Sequence, residues 1–571
     1  MSKENNNMQV DIENLFKQNV NDLSSIKELY RKLKEVEEKI LQIKYIDSNL
    51  ANKLKKDYEN LKKIILDENI QVQLNNRINE IYSHLETIKY YVTPEMFGAK
   101  GDGVTDDSVA IQKAIDSLTN GGTVIFTPKT YKLSKGIKIN KKSITLKGTR
   151  STNLYGTVIK TDNSSDLPVI SVGYGNGSML VGGSIENISI MGNNTRQSFE
   201  NRINRVGLHL KDVSEFNLTN VYISGFTKEG VNAVDWWDST INCLELRACG
   251  TEKTHSGLTL DCDNDSSNSL HFFGLHIEEC PYQLKIDKIC SNIHFVGSKF
   301  ERGASMQLGN IDYLIYINEG VYAVTFTSCF FTSALEVPHI LVKNRMTTFN
   351  ACTFSTGNAN GMYAIKCYSS NTDYGKRVII NGCTFDYLSK IVNGIELSNE
   401  CIFTNNNVTF REDSGEIKPI IFNSNNIITG NIISNTHTSG YIFQLNSSGN
   451  KITNNSYQKG VSVFDSKHTS NILDTKVNIF STVTGVNINF AKAHQTNILW
   501  NGSTATTLTK DNLLNPFNGC TFKIIANNGN LTLAKSMLQN SGGNLAIPSG
   551  GVIVLVYNAA LSNWFIESKS W

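Results

Sequence analysis

Over residues 185–457 the apolar positions follow one short pattern: apolar, any, small or Asn, apolar, any, apolar. It reads Ile185-Glu186-Asn187-Ile188-Ser189-Ile190, then Leu218-Thr219-Asn220-Val221-Tyr222-Ile223. It recurs from Ile241, Phe272, Phe295, Phe326, Phe349, Ile380, Phe403, Ile428 and Ile452. From Leu218 onward the first positions lie 23, 31, 23, 31, 23, 31, 23, 25 and 24 residues apart. Self-similarity on a period of about 20–50 residues marks a repeat architecture, and alternation on a period of two makes its units strands. The third position holds only Asn, Gly, Cys, Ser or Ala, as a left-handed bend between two strands requires. The pattern predicts a mainly β chain wound as a right-handed parallel β-helix, a solenoid whose coils stack Phe on Phe and Ile on Ile about 4.8 Å apart. A propeller would need about 40–45 residues per blade, which these spacings exclude.

A helical period governs the N-terminal part. Ile26, Leu29, Leu33, Val36, Ile40 and Ile43 are spaced alternately three and four apart. The register lapses near Asp47 and Asp57 and resumes at Leu74, Ile78, Ile81, Leu85 and Ile88. This predicts an α-helical coiled coil over 26–90, with a helical hairpin as the alternative. Residues 1–25 carry little pattern and read as a tether, and 91–485 as the β-helix. After Phe480 the ladder fades, and the apolar runs at 497–500, 521–525, 551–557 and 564–566 alternate with Asn- and Gly-rich turns. That predicts a small antiparallel β-sandwich over 486–571, in which Trp564 and Trp571 would serve trimerisation, sugar binding or the core.

Composition narrows the function. The formal charge of +2, with 19% charged residues, offers no nucleic-acid or anionic-membrane surface. No run approaches the roughly 18 apolar residues of a membrane span, and the polar start lacks a signal-peptide pattern. The eleven cysteines contain no CxxC pair, and Cys329, Cys352 and Cys383 share one inward column. They read as buried thiols of a chain assembled in a reducing cytoplasm. No cofactor or metal is expected.

Aligning the coils lines up the outward residues beyond each bend. One column reads Tyr222, Glu245, His276, Lys299, Phe330 and Thr353; the next reads Ser224, Arg247, Glu278, Glu301, Thr332 and Ser355. Three adjacent coils thus concentrate charge on one wall. Glu278 above Glu301 places like charges one strand apart, which raises the proton affinity of one of them. An acid beside a carboxylate is what glycoside cleavage needs, at about 5–5.5 Å for retention or 6.5–9.5 Å for inversion; long Glu side chains reach either. The plain alternative is a solvated ladder in which Arg247 and Lys299 neutralise both glutamates. Nearby, Asp235-Trp236-Trp237-Asp238 and, one coil later, Asp261-Cys262-Asp263-Asn264-Asp265 combine aromatic faces with acids, a pairing suited to sugar recognition. One Trp filling the core is the competing reading. A calcium loop at the second acidic run is the weaker one, since the spacing is not that of an EF-hand.

Residues 91–117, YVTPEMFGAKGDGVTDDSVAIQKAIDS, are followed by GGTVIFTPKTYKLS. Thr105 is placed to cap a helix with Asp106 and Asp107 in its first turn and Val109, Ala110, Ile111, Ala114 and Ile115 on its apolar face. This stretch resembles the first segment of the pectate-lyase-like superfamily, as found in phage tailspikes and pre-neck appendage proteins. The departure is Lys129-Thr130, where the family usually has Gly before the Tyr. The resemblance implies that Asp102, Asp106 and Asp107 are structural, closing the open end of the solenoid. It also implies a homotrimeric virion component, joined to other phage tail proteins through its N-terminus, that binds and depolymerises a bacterial surface polysaccharide such as capsule, exopolysaccharide or wall teichoic acid. In that frame Glu278 and Glu301 are the expected acid and base or nucleophile, with Asp235 and Glu245 next. Arg247, His276 and Lys299 would bind anionic groups or tune the acids, and Trp236, Trp237, Asp238 and Asp261 would bind sugar. A hydrolase is expected over a lyase. The alternatives are a spike that only adheres to glycan and a bacterial polysaccharide lyase.

Overall fold

The bend position is where pattern becomes geometry. At Asn187, Asn220, Cys243, Gly274, Gly297, Ser328, Ala351, Gly382, Asn405, Gly430 and Asn454 the backbone φ lies between 51° and 70°, the left-handed region the small residues anticipated. The computed structural model describes residues 90–149, 155–192, 202–251, 254–301, 312–333, 337–355, 362–367, 377–388, 393–410, 416–434 and 439–458, with shorter pieces on either side. The tether over 1–25 and, apart from isolated helical residues, the coiled coil over 26–90 lie outside the described residues. No described helix is long and apolar enough to cross a membrane. The chain divides into two compact units, Met1–Glu245 and Leu246–Trp571.

In the first unit three stacks of parallel strands converge on the strand Leu208–Phe226. Leu208 pairs with Ile170, Leu218 with Ile185 and Tyr222 with Ser189, each in a different stack. Left-handed residues at Asp212, Glu215 and Asn220 turn the chain from one stack to the next. Tyr222, expected outside, is buried with Val158 and Met191 in a small external apolar cluster.

The N-terminal end is closed by a helix, Ser108–Ser117, with Ala110, Ile111, Ala114 and Ile115 buried; Val109 instead faces solvent. The helix begins later than expected, because Asp102–Asp106 is a strand that pairs with Thr130–Lys132. Thr105 therefore caps nothing, and its hydroxyl donates to Asp102 Oδ2 at 2.7 Å. Each acid secures a local turn. Asp107 accepts the amides of Lys100 and Gly101 at 2.7 and 3.0 Å, and Asp106 accepts those of Ser108 and Ser134 at 3.1 and 3.0 Å. The Thr105 amide, then the Val104 amide and the Thr105 hydroxyl, hold the Asp102 carboxyl down to about 2. Partial burial works against ionisation of Asp106, but hydrogen bonds from Ser108 and Ser134 outweigh it and keep its carboxyl far below the usual range. An unfolded Asp titrates near 3.9, so the support these groups lend is complete above that pH and lost as pH falls through the lower folded values. Protection of the amides over 94–117, relative to their intrinsic exchange rates, is expected to fall from about pH 4 downward. Asp106→Asn should bring that loss of protection to neutral pH; unchanged protection in the variant would refute the assignment.

The second unit stacks coils in the predicted register. Phe272, Phe295, Phe326, Phe349, Ile380, Phe403, Ile428 and Ile452 are successive partners down one column. The rings of Phe272, Phe295, Phe326 and Phe349 stack with centroids 4.9, 4.9 and 5.1 Å apart. A second inward column, Phe300, Phe331, Phe354 and Phe385, stacks at 5.1, 4.6 and 4.7 Å. Each such pair contributes about 0.5–1.5 kcal/mol beyond its burial. The residue after the bend forms a third column, in which the buried thiols of Cys329, Cys352 and Cys383 give way to Asn406, Asn431 and Asn455. Asn431 Oδ1 accepts from the Asn406 backbone at 2.9 Å, and Asn431 Nδ2 donates to Phe403 O at 2.9 Å and Asn455 Oδ1 at 2.8 Å. Among the described cysteines only Cys243 is exposed, and all are free.

Parallel pairing recurs in the C-terminal region. Ser481–Val483, Asn497–Trp500 and Thr521–Ala526 pair in parallel. Among the described residues of this region, the expected antiparallel pairing joins Thr521–Ala526 with Val552–Asn558, Val552–Asn558 with Asn563–Ser570, and Leu531–Leu533 with Leu545–Ile547. Trp564 is buried in the core of this region with Ile524, Leu533, Ile553 and Leu555. Trp571 lies outside the described residues.

Candidate functional site

Two three-residue strands form the centre of the wall: His276–Glu278 and Lys299–Glu301. They pair in parallel with His276 beside Lys299, Ile277 beside Phe300 and Glu278 beside Glu301. Ile277 and Phe300 are fully buried, so pleat alternation leaves the four charged side chains on the outer face. From His276 and Glu278 onward the predicted columns are thus observed, and they continue through Phe330 and Thr332 to Thr353 and Ser355.

Arg247 clamps the first coil. Its Nη2 donates to Glu278 Oε1 at 2.7 Å and its Nε to Glu279 Oε2 at 3.2 Å. These side chains are only 14–19% exposed, so the bonds are sheltered from the solvent screening that weakens surface pairs. Lys299 pairs with Glu301 on the more open coil. His276 Nε2 lies between the coils, 3.6 Å from Glu278 Oε2 and 3.9 Å from Glu301 Oε2. That nitrogen is shielded from solvent and has no hydrogen bond in this conformation. Two carboxylates from different coils therefore approach one imidazole nitrogen. The two permanent cations, expected to meet anionic sugar groups or to tune the acids, are each engaged by glutamate.

Glu279 was not among the expected residues. Its φ of 56° turns the chain directly after Glu278, so that two consecutive carboxylates reach one guanidinium. Glu245 shares the outward face of the strand Val231–Cys249 two positions before Arg247, and both are half-buried.

The remaining expectations are corrected. Trp236 is fully buried, with Nε1 donating to Phe216 O at 3.3 Å, and Trp237 is buried too; neither ring offers a face to sugar. Asp235 is likewise fully buried and has no route to a substrate, while Asp238 is exposed. Left-handed φ at both Asp235 and Asp238 breaks strict alternation along this 19-residue strand and swings the tryptophans inward. Asp261 sits on a separate stack, where its strand pairs with Leu284–Ile286. The Lys288 ammonium occupies the middle of that acidic run, 3.1 Å from Asp263 Oδ1, 3.6 Å from Asp261 Oδ1 and 2.8 Å from Cys262 O. A lysine thus stands where the weaker reading placed calcium.

The chain resembles known proteins in three ways. The family model described as rhamnogalacturonase A/epimerase, pectate lyase-like, matches residues 94–221. Depolymerase 1, capsule KN3-specific, of Klebsiella phage KN3-1 is 28% identical over 343 residues, covering 51% of this chain and 42% of that protein. Depolymerase 1, capsule K30/K69-specific, of Klebsiella phage K5-2 is 45% identical over 51 residues, 9% of this chain and 6% of that one. The chain therefore spans less than half the length of these curated relatives. Tailspike protein 3 of bacteriophage CBA120 is similar in structure, with a TM-score of 0.46 and 14% identity over 85% of this chain and 70% of that one. Residues 94–221 thus match a pectate-lyase-like family model, and the chain is similar in sequence to capsule-specific depolymerases of two Klebsiella phages.

Proposed function

We propose that the protein is a phage tail appendage that binds a bacterial surface polysaccharide and hydrolyses its glycosidic bonds on the wall built by Glu278 and Glu301. One observation carries this reading: two carboxylates held in register on adjacent coils, each with an oxygen within 4 Å of His276 Nε2. One carboxyl protonates the leaving oxygen while the other acts on the anomeric side, directly or through water. Arg247 and Lys299 orient the pair, and His276 lies where it can exchange a proton with either. The names of the sequence relatives, both capsule-specific depolymerases, support the substrate class. Homotrimeric assembly, joining to other tail proteins through residues 1–25 and a place in the virion belong to the same proposal.

A second reading, adhesion without cleavage, is favoured by the ion pairs that already satisfy both glutamates. Incubation with purified host capsule, exopolysaccharide and wall polymer separates the two. Shortened polymer with new reducing ends is expected; unchanged polymer size with retained binding would establish adhesion alone. Unsaturated, ultraviolet-absorbing ends would assign a lyase instead.

A further inference from the structure

Beyond the two carboxylates the wall changes character. Following the paired strands toward the C-terminus, Lys299 is succeeded by Phe330, Thr353 and Thr384, and Glu301 by Thr332 and Ser355. All of these are half-buried. The first coil past the acid pair thus offers a single aromatic ring, and the coils beyond it a strip of hydroxyls. Ser355 Oγ donates to Asp386 Oδ2 at 3.3 Å, which adds an acceptor at the far end.

Charge on the wall has a sign. Among its described residues, Glu278, Glu279 and Glu301 face Arg247 and Lys299, and both cations are already held by those glutamates. A sugar carboxylate or phosphate placed here would add negative charge to a net negative surface, and would have to take a cation from a glutamate to be neutralised. Like charges brought together across a contact are strongly disfavoured. An uncharged pyranose meets no such obstacle: its apolar face suits Phe330 and its hydroxyl rim suits Thr332, Thr353 and Ser355.

We infer that this wall reads an uncharged glycan segment, with Phe330 as the stacking platform for the ring next to the cleaved bond and the threonine–serine strip holding the rings after it. The inference rests on the wall being the glycan site and goes further by fixing the charge class of the sugars bound there. It also argues against elimination chemistry, because a lyase requires a uronate at the cleaved linkage.

The test uses the full-length protein and the host's purified surface polysaccharide, before and after chemical reduction of its carboxyl groups to alcohols. Cleavage is expected to be unchanged or faster on the reduced polymer; a fall of tenfold or more would overturn the inference. Retardation in native gels containing each polymer reads the same preference, even for a protein that binds without cutting. Phe330→Ala is expected to raise KM by about tenfold with kcat within twofold, the loss of one aromatic contact, and Phe330→Trp to restore it. An unchanged KM in Phe330→Ala would remove the platform. Full activity of both Glu278→Gln and Glu301→Gln would instead strike at the hydrolytic reading, whatever the polymer charge.

Discussion

Glu278→Gln and Glu301→Gln are each expected to lower the release of reducing ends by about 10²–10⁴-fold, the usual contribution of a positioned acid or base. Neither change should unfold the protein. Glu278→Gln leaves Arg247 still bonded to Glu279, so no sheltered cation is orphaned, and Glu301 lies on the more open coil. Circular dichroism and thermal melting of the variants should match the parent. Glu279→Gln is the informative control, because it touches the same guanidinium without lying in register with Glu301; it should cost less than tenfold. If both single Gln variants cleave polymer at the parental rate, the catalytic assignment is wrong.

The largest expected loss of stability comes from an uncharged residue. Asn431→Ala withdraws the acceptor used by the Asn406 backbone and the donor used by Phe403 and Asn455. All the asparagines in this ladder are buried. Each stranded buried group costs about 1–3 kcal/mol, so a total of about 3 kcal/mol or more is expected, read as a lower urea midpoint or faster amide exchange in the coils from Phe403 to Asn455. Asn407→Ala, an exposed position on a neighbouring strand, should change stability by less than about 0.5 kcal/mol. Equal effects from the two substitutions would show that the ladder adds nothing.

Much of this architecture was legible because two physical constraints leave marks in sequence. A left-handed bend admits only a few residue types, and a strand buried on one face alternates. Counting from the bend therefore placed His276, Glu278, Lys299 and Glu301 on one wall, where the paired strands hold them. The count failed wherever an additional left-handed residue intervened. Asp235 and Asp238 break the alternation around Trp236 and Trp237 and turn both rings inward, and Glu279 gains its place beside Arg247 in the same way. Asp tolerates that conformation but adopts it in few of its positions, and Glu carries no signature of it, so spacing alone did not expose these turns. The asparagine ladder was hidden for another reason: Asn beside a bend reads as turn chemistry, and only coordinates reveal that the side chain points inward to the next coil.

The recurring bend also sets how the molecule can change length. From Asn187 to Asn454 the bends share nearly the same φ, so two such corners are interchangeable as splice points, whichever small residue each carries. Excising or duplicating the segment between them would rejoin matching ends and keep the Phe and Asn columns continuous. The reach of the outer surface is therefore adjustable in whole increments without redesigning the interior.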